Sequence, residues 1–190
     1  MRNLIILSFL LSNGIALGQM YSYEPTTEHP FGRLNPEAPP QVADFDRLIG
    51  RCECKSVSRI NQTDWADTVL MTWTFKYIMN GFGVQDETLK EDGIHSGSIR
   101  QYSVDSSRWY VHYYTTSTSA PTLPSWEGGR NENNSITLYR DQQAPNGMEG
   151  MYRLTFSDIS ESGYNWTGAW VDRSERIVYP TWKIFCKRSE

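Results

Sequence analysis

The side chains in this sequence that could do chemistry are scattered. The three histidines, His29, His95 and His112, lie far apart in the chain. The sequence contains no Gly-x-Ser-x-Gly elbow, His-Glu-x-x-His helix, phosphate loop or dinucleotide fingerprint. Scattered Ser, His and Asp residues are not by themselves a sign of a catalytic triad. We therefore predict no catalytic residues.

Metal and cofactor sites are also not predicted. The acidic residues between positions 86 and 92 are typical of a solvated hairpin, and Cys52-x-Cys54 has no further ligands nearby in the sequence. The Gly-x-Trp-x-Gly pattern of haem-binding nitrobindin-like barrels is missing, and no histidine lies near the C-terminus. The expectation is a protein without a metal or cofactor.

The chemistry that the sequence favours is the binding of apolar molecules. Aromatic residues make up 13% of the chain, with 7 Trp and 11 Tyr. Several fall on regular strand faces; Trp166 and Trp170, for example, share one face in a two-residue alternation. An aromatic-lined interior with a few polar groups is the usual composition of a small-molecule pocket. The candidate ligand-binding residues are Trp73, Arg100, Tyr102, Trp109, His112, Tyr113, Trp166 and Trp170.

Arg100 is the most suggestive polar candidate. It shares a strand face with Ser98 and Tyr102. An inward guanidinium could pair with a ligand carboxylate or with a buried acid such as Asp86. The alternative for the interior as a whole is a solid barrel that the aromatic rings fill completely.

Strands must position these residues, and the chain from Gly50 onward predicts them. Residues 69–79 alternate between apolar and mostly polar types, and Asn80-Gly81 is a strong hairpin turn. The predicted strands are 50–57, 69–79, 82–89, 98–104, 109–116, 135–139, 151–156, 164–171 and 178–187, with 119–130 as a loop. Closure removes exposed edges, so we predict an all-β, antiparallel up-and-down barrel of about 8–10 strands. A two-sheet sandwich is the alternative.

The cysteines predict a disulfide between the first and last strands. Cys52 and Cys54 share a face of the first strand, and Cys186 lies in the last. If these strands are antiparallel neighbours, a bond from Cys186 to one of the pair is feasible in an oxidising compartment. Residues at the start of one strand oppose those at the end of the other, which slightly favours Cys52.

The first residues have the pattern of a secretory signal. Arg2 precedes an apolar run over 4–11 and a small-residue exit at Gly18. The run is too short to span a bilayer, which predicts a cleaved signal peptide over 1–18 and a secreted or periplasmic protein, with an uncleaved anchor helix as the alternative. The net charge of −4 gives no positive potential that would attract nucleic-acid phosphates, so nucleic acid is not a predicted partner. No membrane span is predicted.

Residues 19–43 are rich in proline and have no periodicity, as in a linker or an extended arm. Either this segment is a poorly ordered tail, or it packs across the barrel through Tyr21, Tyr23 and Phe31. Asp44 is a candidate cap for a short helical turn. The barrel domain is predicted to span 44–190.

A family resemblance extends over most of the chain from Phe45 onward. The residues that carry it are Phe45-x-x-Leu48-x-Gly50-x-Cys52, Asn80-Gly81, Ile99-Arg100-x-Tyr102, Trp109-x-Val111, Arg153-Leu154-x-Phe156-x-Asp158-Ile159 and Trp166. Together they resemble secreted lipocalin-like proteins of the calycin type, a group without an assigned function. The sequence departs from the group at Cys52, where the Gly-x-Trp of related barrels has a tryptophan. The resemblance implies an architecture more than a ligand.

Three functions are compatible with these features. The preferred one is an exported, non-enzymatic binding protein for a small apolar or amphipathic molecule. The second is a cofactor-independent isomerase or lyase, with His112 as base and Arg100 or a tyrosine as electrostatic support. The third is a surface-interaction protein with a filled barrel, which meets its partner through the proline-rich segment or the loop 119–130.

Overall fold

Ten antiparallel strands form a closed barrel in which each strand pairs with its neighbours in sequence and the last pairs with the first. The computed structural model describes residues 21–188. The strands are β1 (Gly50–Ser58), β2 (Val69–Ile78), β3 (Gly83–Lys90), β4 (Ser96–Ser103), β5 (Arg108–Thr115), β6 (Ser125–Arg130), β7 (Ile136–Asp141), β8 (Gly150–Ser160), β9 (Gly163–Asp172) and β10 (Val178–Arg188). The predicted up-and-down barrel is confirmed, and the two-sheet sandwich is wrong.

The alternation in β2 becomes the inner wall of the barrel. Met71, Trp73, Phe75 and Tyr77 are buried, while the residues between them are partly exposed. This is the expected result of a two-residue period in a strand with one face towards the core. The predicted hairpin follows at residues 79–82, where Met79, Asn80 and Gly81 all have positive φ.

One strand, β6, lies in the segment predicted to be a loop. It occupies Ser125–Arg130 and pairs with β5 and β7. Two consecutive glycines give this segment a low strand propensity, which explains the error. Gly128 has a φ of +155°, and a Cβ there would lie 2.2 Å from the Thr137 carbonyl oxygen. The close approach of β7 therefore requires glycine at position 128, and this same glycine lowers the strand propensity of the segment.

A 3₁₀ helix over Pro40–Leu48 closes one end of the barrel. Phe45 is fully buried and packs edge-on against Trp109, with ring centroids 4.8 Å apart. The prediction that Asp44 caps this helix is wrong. Its carboxylate instead accepts a hydrogen bond from Trp109 Nε1 at 3.0 Å. The loops that follow β1, β3, β5, β7 and β9 lie at the opposite end, which we call the open end. In the part of the chain that the structure describes, no helix is long and apolar enough to cross a membrane.

The segment 21–39 is held against the β2–β3 hairpin. The Tyr23 amide donates to Asn80 Oδ1 at 3.1 Å, and the Tyr77 amide donates to the Phe31 carbonyl at 2.8 Å. Asn35 Nδ2 also donates to the Asn80 carbonyl. Tyr21 is exposed and does not act as an anchor. The predicted signal sequence over 1–18 lies outside the described residues.

A disulfide joins β1 to β10 and so fastens the closure of the barrel. It links Cys54 to Cys186, which face each other in the strand register with Cα atoms 4.1 Å apart. Cys52 faces Arg188 instead and keeps a buried, free thiol. The predicted disulfide between first and last strands is confirmed. The preference for Cys52 is wrong, because the register shifts the partner by two residues.

Candidate ligand-binding cavity

The barrel is solid at its closed end and hollow towards its open end. The cavity has a volume of about 290 Å³ and is reached past Pro124 and Gln142, which belong to the loops after β5 and β7. This volume is at the lower end of the range for small-molecule pockets. Its aromatic lining consists of Trp73, Tyr113, Trp126, Tyr152, Phe156, Trp166 and Trp182.

Tightly packed rings form the solid half below the cavity. Phe75 lies 5.3 Å from Trp73 and 6.1 Å from Tyr164, measured between ring centroids. Phe156 lies 6.1 Å from Phe45 of the 3₁₀ helix. Such edge-to-face and tilted pairs stabilise an interior beyond the area that they bury. This packing gives the cavity a rigid floor.

A buried ion pair lies beside this floor. Arg100 on β4 donates to Asp86 Oδ1 on β3, and each of the two side chains is only 3% exposed. Trp73 Nε1 donates to the other carboxylate oxygen, Oδ2, at 2.7 Å. The guanidinium lies over Phe75 at 4.8 Å, and its Nε has no hydrogen-bond partner among the described residues. The two partners predicted for Arg100 are a ligand carboxylate and a buried acid such as Asp86, and the structure shows the pair with Asp86.

Hydroxyl groups form a polar strip along one side of the cavity. Thr88, Ser96 and Ser98 are buried on β3 and β4 and line the cavity. The hydroxyl groups of Thr88 and Ser96 form a hydrogen bond with each other, with 2.6 Å between Oγ1 and Oγ. The opposite wall includes the aliphatic residues Leu138 and Leu154 of β7 and β8. A ligand would therefore meet one polar side and one apolar side.

The mouth of the cavity carries a second arginine. Arg140 on β7 stacks over the Trp126 ring, with 4.3 Å from the guanidinium carbon to the ring centroid, and donates to Gln142 Oε1 at 2.9 Å. Partial burial lowers the pKa of Arg140 from its ordinary value, although arginine remains protonated in proteins. On the same rim, burial raises the pKa of Tyr152, whose hydroxyl is 2.7 Å from Thr181 Oγ1.

Four of the eight predicted binding residues line the cavity together. They are Trp73, Arg100, Tyr113 and Trp166. They come from four different strands, β2, β4, β5 and β9, and are brought together only by closure of the barrel. The cavity thus contains four of the candidate residues, and their role in ligand binding stays a prediction.

The other four predicted residues lie elsewhere. Tyr102 packs on Trp109 at 5.7 Å in the closed half, where Trp109 contacts the 3₁₀ helix. Trp170 donates through Nε1 to the Gln142 carbonyl at 2.9 Å and holds the loop after β7. His112 lies between the inward-facing Val111 and Tyr113 of β5 and therefore points to the outer face. The sequence did not distinguish the two faces of this strand, because both carry large residues.

Sequence reasoning missed Trp126 and Arg140 at the mouth. Trp126 lies in β6, the strand predicted to be a loop. Arg140 follows the predicted end of β7 by one residue, yet it continues the inward alternation of Ile136 and Leu138. Extending that two-residue period would have placed Arg140 on the inner face.

The chain matches no model of a known protein family, and no curated protein matches it significantly. The likeness to lipocalins is shown at the level of architecture, a closed antiparallel up-and-down barrel. Within residues 21–188, no group of three or more His, Cys, Asp or Glu side chains is arranged to hold a metal ion. The function is therefore inferred from the cavity.

Proposed function

We propose that this chain is a non-enzymatic binding protein that holds a small apolar or amphipathic molecule in the cavity of its barrel. The observation that carries the proposal is the aromatic-lined cavity of about 290 Å³, closed by a packed floor and reached from the open end. Apolar walls with a few placed polar groups are the usual composition of ligand sites. The aromatic walls supply the affinity through apolar burial.

The polar groups of the cavity favour binding over catalysis. A general base must lie within hydrogen-bond reach of the proton that it abstracts. Asp86, the acid that lines the cavity, is held in an ion pair with Arg100 and accepts a hydrogen bond from Trp73. His112, the base of the isomerase or lyase alternative, lies on the outer face of β5, away from Arg100. Among residues 21–188, the base and the arginine of that alternative therefore do not meet in the cavity.

The proposed place of action is outside the cytoplasm. The sequence pattern of the first residues and the disulfide between Cys54 and Cys186 both support it. Disulfides form and persist in oxidising compartments and are rare in reducing ones. A binding protein with this bond would keep its barrel closed there.

Ligand binding is expected to change tryptophan emission and to raise the melting temperature. Trp73, Trp126, Trp166 and Trp182 line the cavity, so an apolar molecule that displaces water from it alters their surroundings. Stabilisation follows from mass action and reaches about 2.7 kcal/mol when free ligand is a hundredfold above its dissociation constant. A titration with 1-decanol, followed by fluorescence and thermal unfolding, measures both effects.

A pair of matched serine variants controls this experiment. Ser98→Phe places a ring in the cavity from β4 and should abolish both effects. Ser103→Phe puts the same ring on the outer face of the same strand and should leave them intact. Native mass spectrometry of protein from its own host would show a retained ligand directly. Bare protein mass there, together with unchanged emission across apolar and amphipathic ligands, contradicts the proposal.

A further inference from the structure

We infer that the ligand is an amphipathic carboxylate whose head group binds Arg140 at the mouth of the cavity, with its apolar body directed towards the floor. The inference rests on the proposed function and names the ligand class of the same site. It assigns the anion to Arg140 instead of Arg100. Three features of the described residues support it.

The first feature is the absence of a counter-ion for Arg140. Among residues 21–188 no acidic side chain forms an ion pair with it; its guanidinium donates to the neutral Gln142 amide and lies over the face of Trp126. The neighbouring Arg153 and Arg173, in contrast, pair with carboxylates at 2.5 and 2.6 Å. Arg140 is thus a half-buried cation that a ligand can neutralise.

The second feature is a hydrogen-bond donor without an acceptor. Trp126 is only 7% exposed and lines the cavity, and its indole Nε1 has no hydrogen-bond partner in the described chain. Its ring lies directly under the Arg140 guanidinium. Indole and guanidinium groups donate hydrogen bonds and cannot accept them. A carboxylate supplies only acceptors, with two oxygens in the geometry that a guanidinium binds best.

The third feature is the charge distribution along the cavity. The charged residues that line it are Asp86, Arg100 and Arg140. Asp86 and Arg100 neutralise each other at the floor, which leaves one net positive charge, at the mouth. A carboxylate at the floor would lie beside Asp86, whereas at the mouth it meets an uncompensated cation. The polar end of the ligand therefore points outwards.

The test compares decanoate with 1-decanol, which share an alkyl chain and differ in the head group. Wild-type protein should bind decanoate more tightly than the alcohol, as measured by isothermal titration calorimetry. Arg140→Met keeps a long side chain over Trp126 and should weaken decanoate binding roughly tenfold or more, since hydrogen bonds to charged groups contribute that much. It should leave the affinity for 1-decanol nearly unchanged.

Arg173→Met is the matched control for the loss of one positive charge at the open end. Arg173 is exposed, pairs with Asp141 and does not line the cavity, so this variant should bind both ligands as the wild type does. Equal wild-type affinity for the two ligands, or an Arg140→Met variant that still prefers decanoate, overturns the inference and leaves the proposed function standing. Binding of neither ligand by the wild type overturns the inference, and together with bare protein mass from the host it overturns the proposed function as well. The wild-type comparison tests the preference for a carboxylate even if the variant does not fold.

Discussion

Replacing Arg100 with methionine should lower the free energy of unfolding by about 3–5 kcal/mol, because removing one partner of a buried ion pair leaves an uncompensated charge. Asp86 is the charge left behind; its side chain is 3% exposed and would keep only the hydrogen bond from Trp73. Methionine retains much of the side-chain volume, so the loss reports the charge more than a cavity. Urea denaturation of the disulfide-bonded protein measures it.

Arg108→Met is the matched control for this effect. Arg108 forms an ion pair with Glu127 at 2.8 Å, but both side chains are nearly half exposed. Exposed pairs contribute about 0–1 kcal/mol, so the control should unfold close to the wild type. Combining Arg100→Met with Asp86→Asn removes the orphaned charge and should recover part of the stability. Equal losses in the Arg100 and Arg108 variants would show that the buried pair is not a main support of the barrel.

The second large effect is expected from the disulfide. A double variant, Cys54→Ala with Cys186→Ala, should lose about 2–5 kcal/mol of unfolding free energy. The bond joins residues separated by 132 positions, so its removal releases a long loop in the unfolded chain. Denaturant unfolding of the variant against the oxidised wild type measures the loss.

Cys52→Ala separates the bond from the removal of thiols in general. Cys52 is buried but unbonded, and its replacement removes one sulfur atom from the core. The cost should be about 1 kcal/mol, comparable to the loss of one buried methylene group. Non-reducing peptide mapping of the wild type should recover the peptide that joins Cys54 to Cys186. A peptide joining Cys52 to Cys186, or three free thiols, would contradict the register of β1 and β10.

Patterns with a period of two predicted the barrel, since β2 reads directly as an inner face and an outer face. Where glycine replaces the pattern, as at Gly128, the strand was missed, because the reason for that glycine is a contact with a strand distant in sequence. The disulfide partner depended on register, which the cysteine spacing alone does not determine. A shift of two residues keeps the same face and exchanges Cys52 for Cys54.

The candidate site was predictable only in part, for a similar reason. The inward positions of Trp73 and Trp166 were predictable, because apolar and polar residues alternate clearly in their strands. In β5 large residues lie on both faces, so the sequence gave no reason to reject His112 as a binding residue. Trp109 is inward but belongs to the packed floor, because the depth of a residue along the barrel depends on where the 3₁₀ helix inserts. Alternation predicts which face a side chain occupies and not its height in the barrel.

The pairing of β10 with β1 also sets the order of events when the chain folds. The barrel has no closing strand until Val178–Arg188 has been synthesised, so β1 and β9 keep open edges up to that point. Contacts between segments this far apart in sequence form slowly, because the intervening chain must be ordered first. A chain truncated before residue 178 should therefore remain sensitive to protease, and the full chain should gain resistance in one late step. Pulse proteolysis during refolding would record that step, and early resistance of the truncated chain would show that nine strands fold without closure.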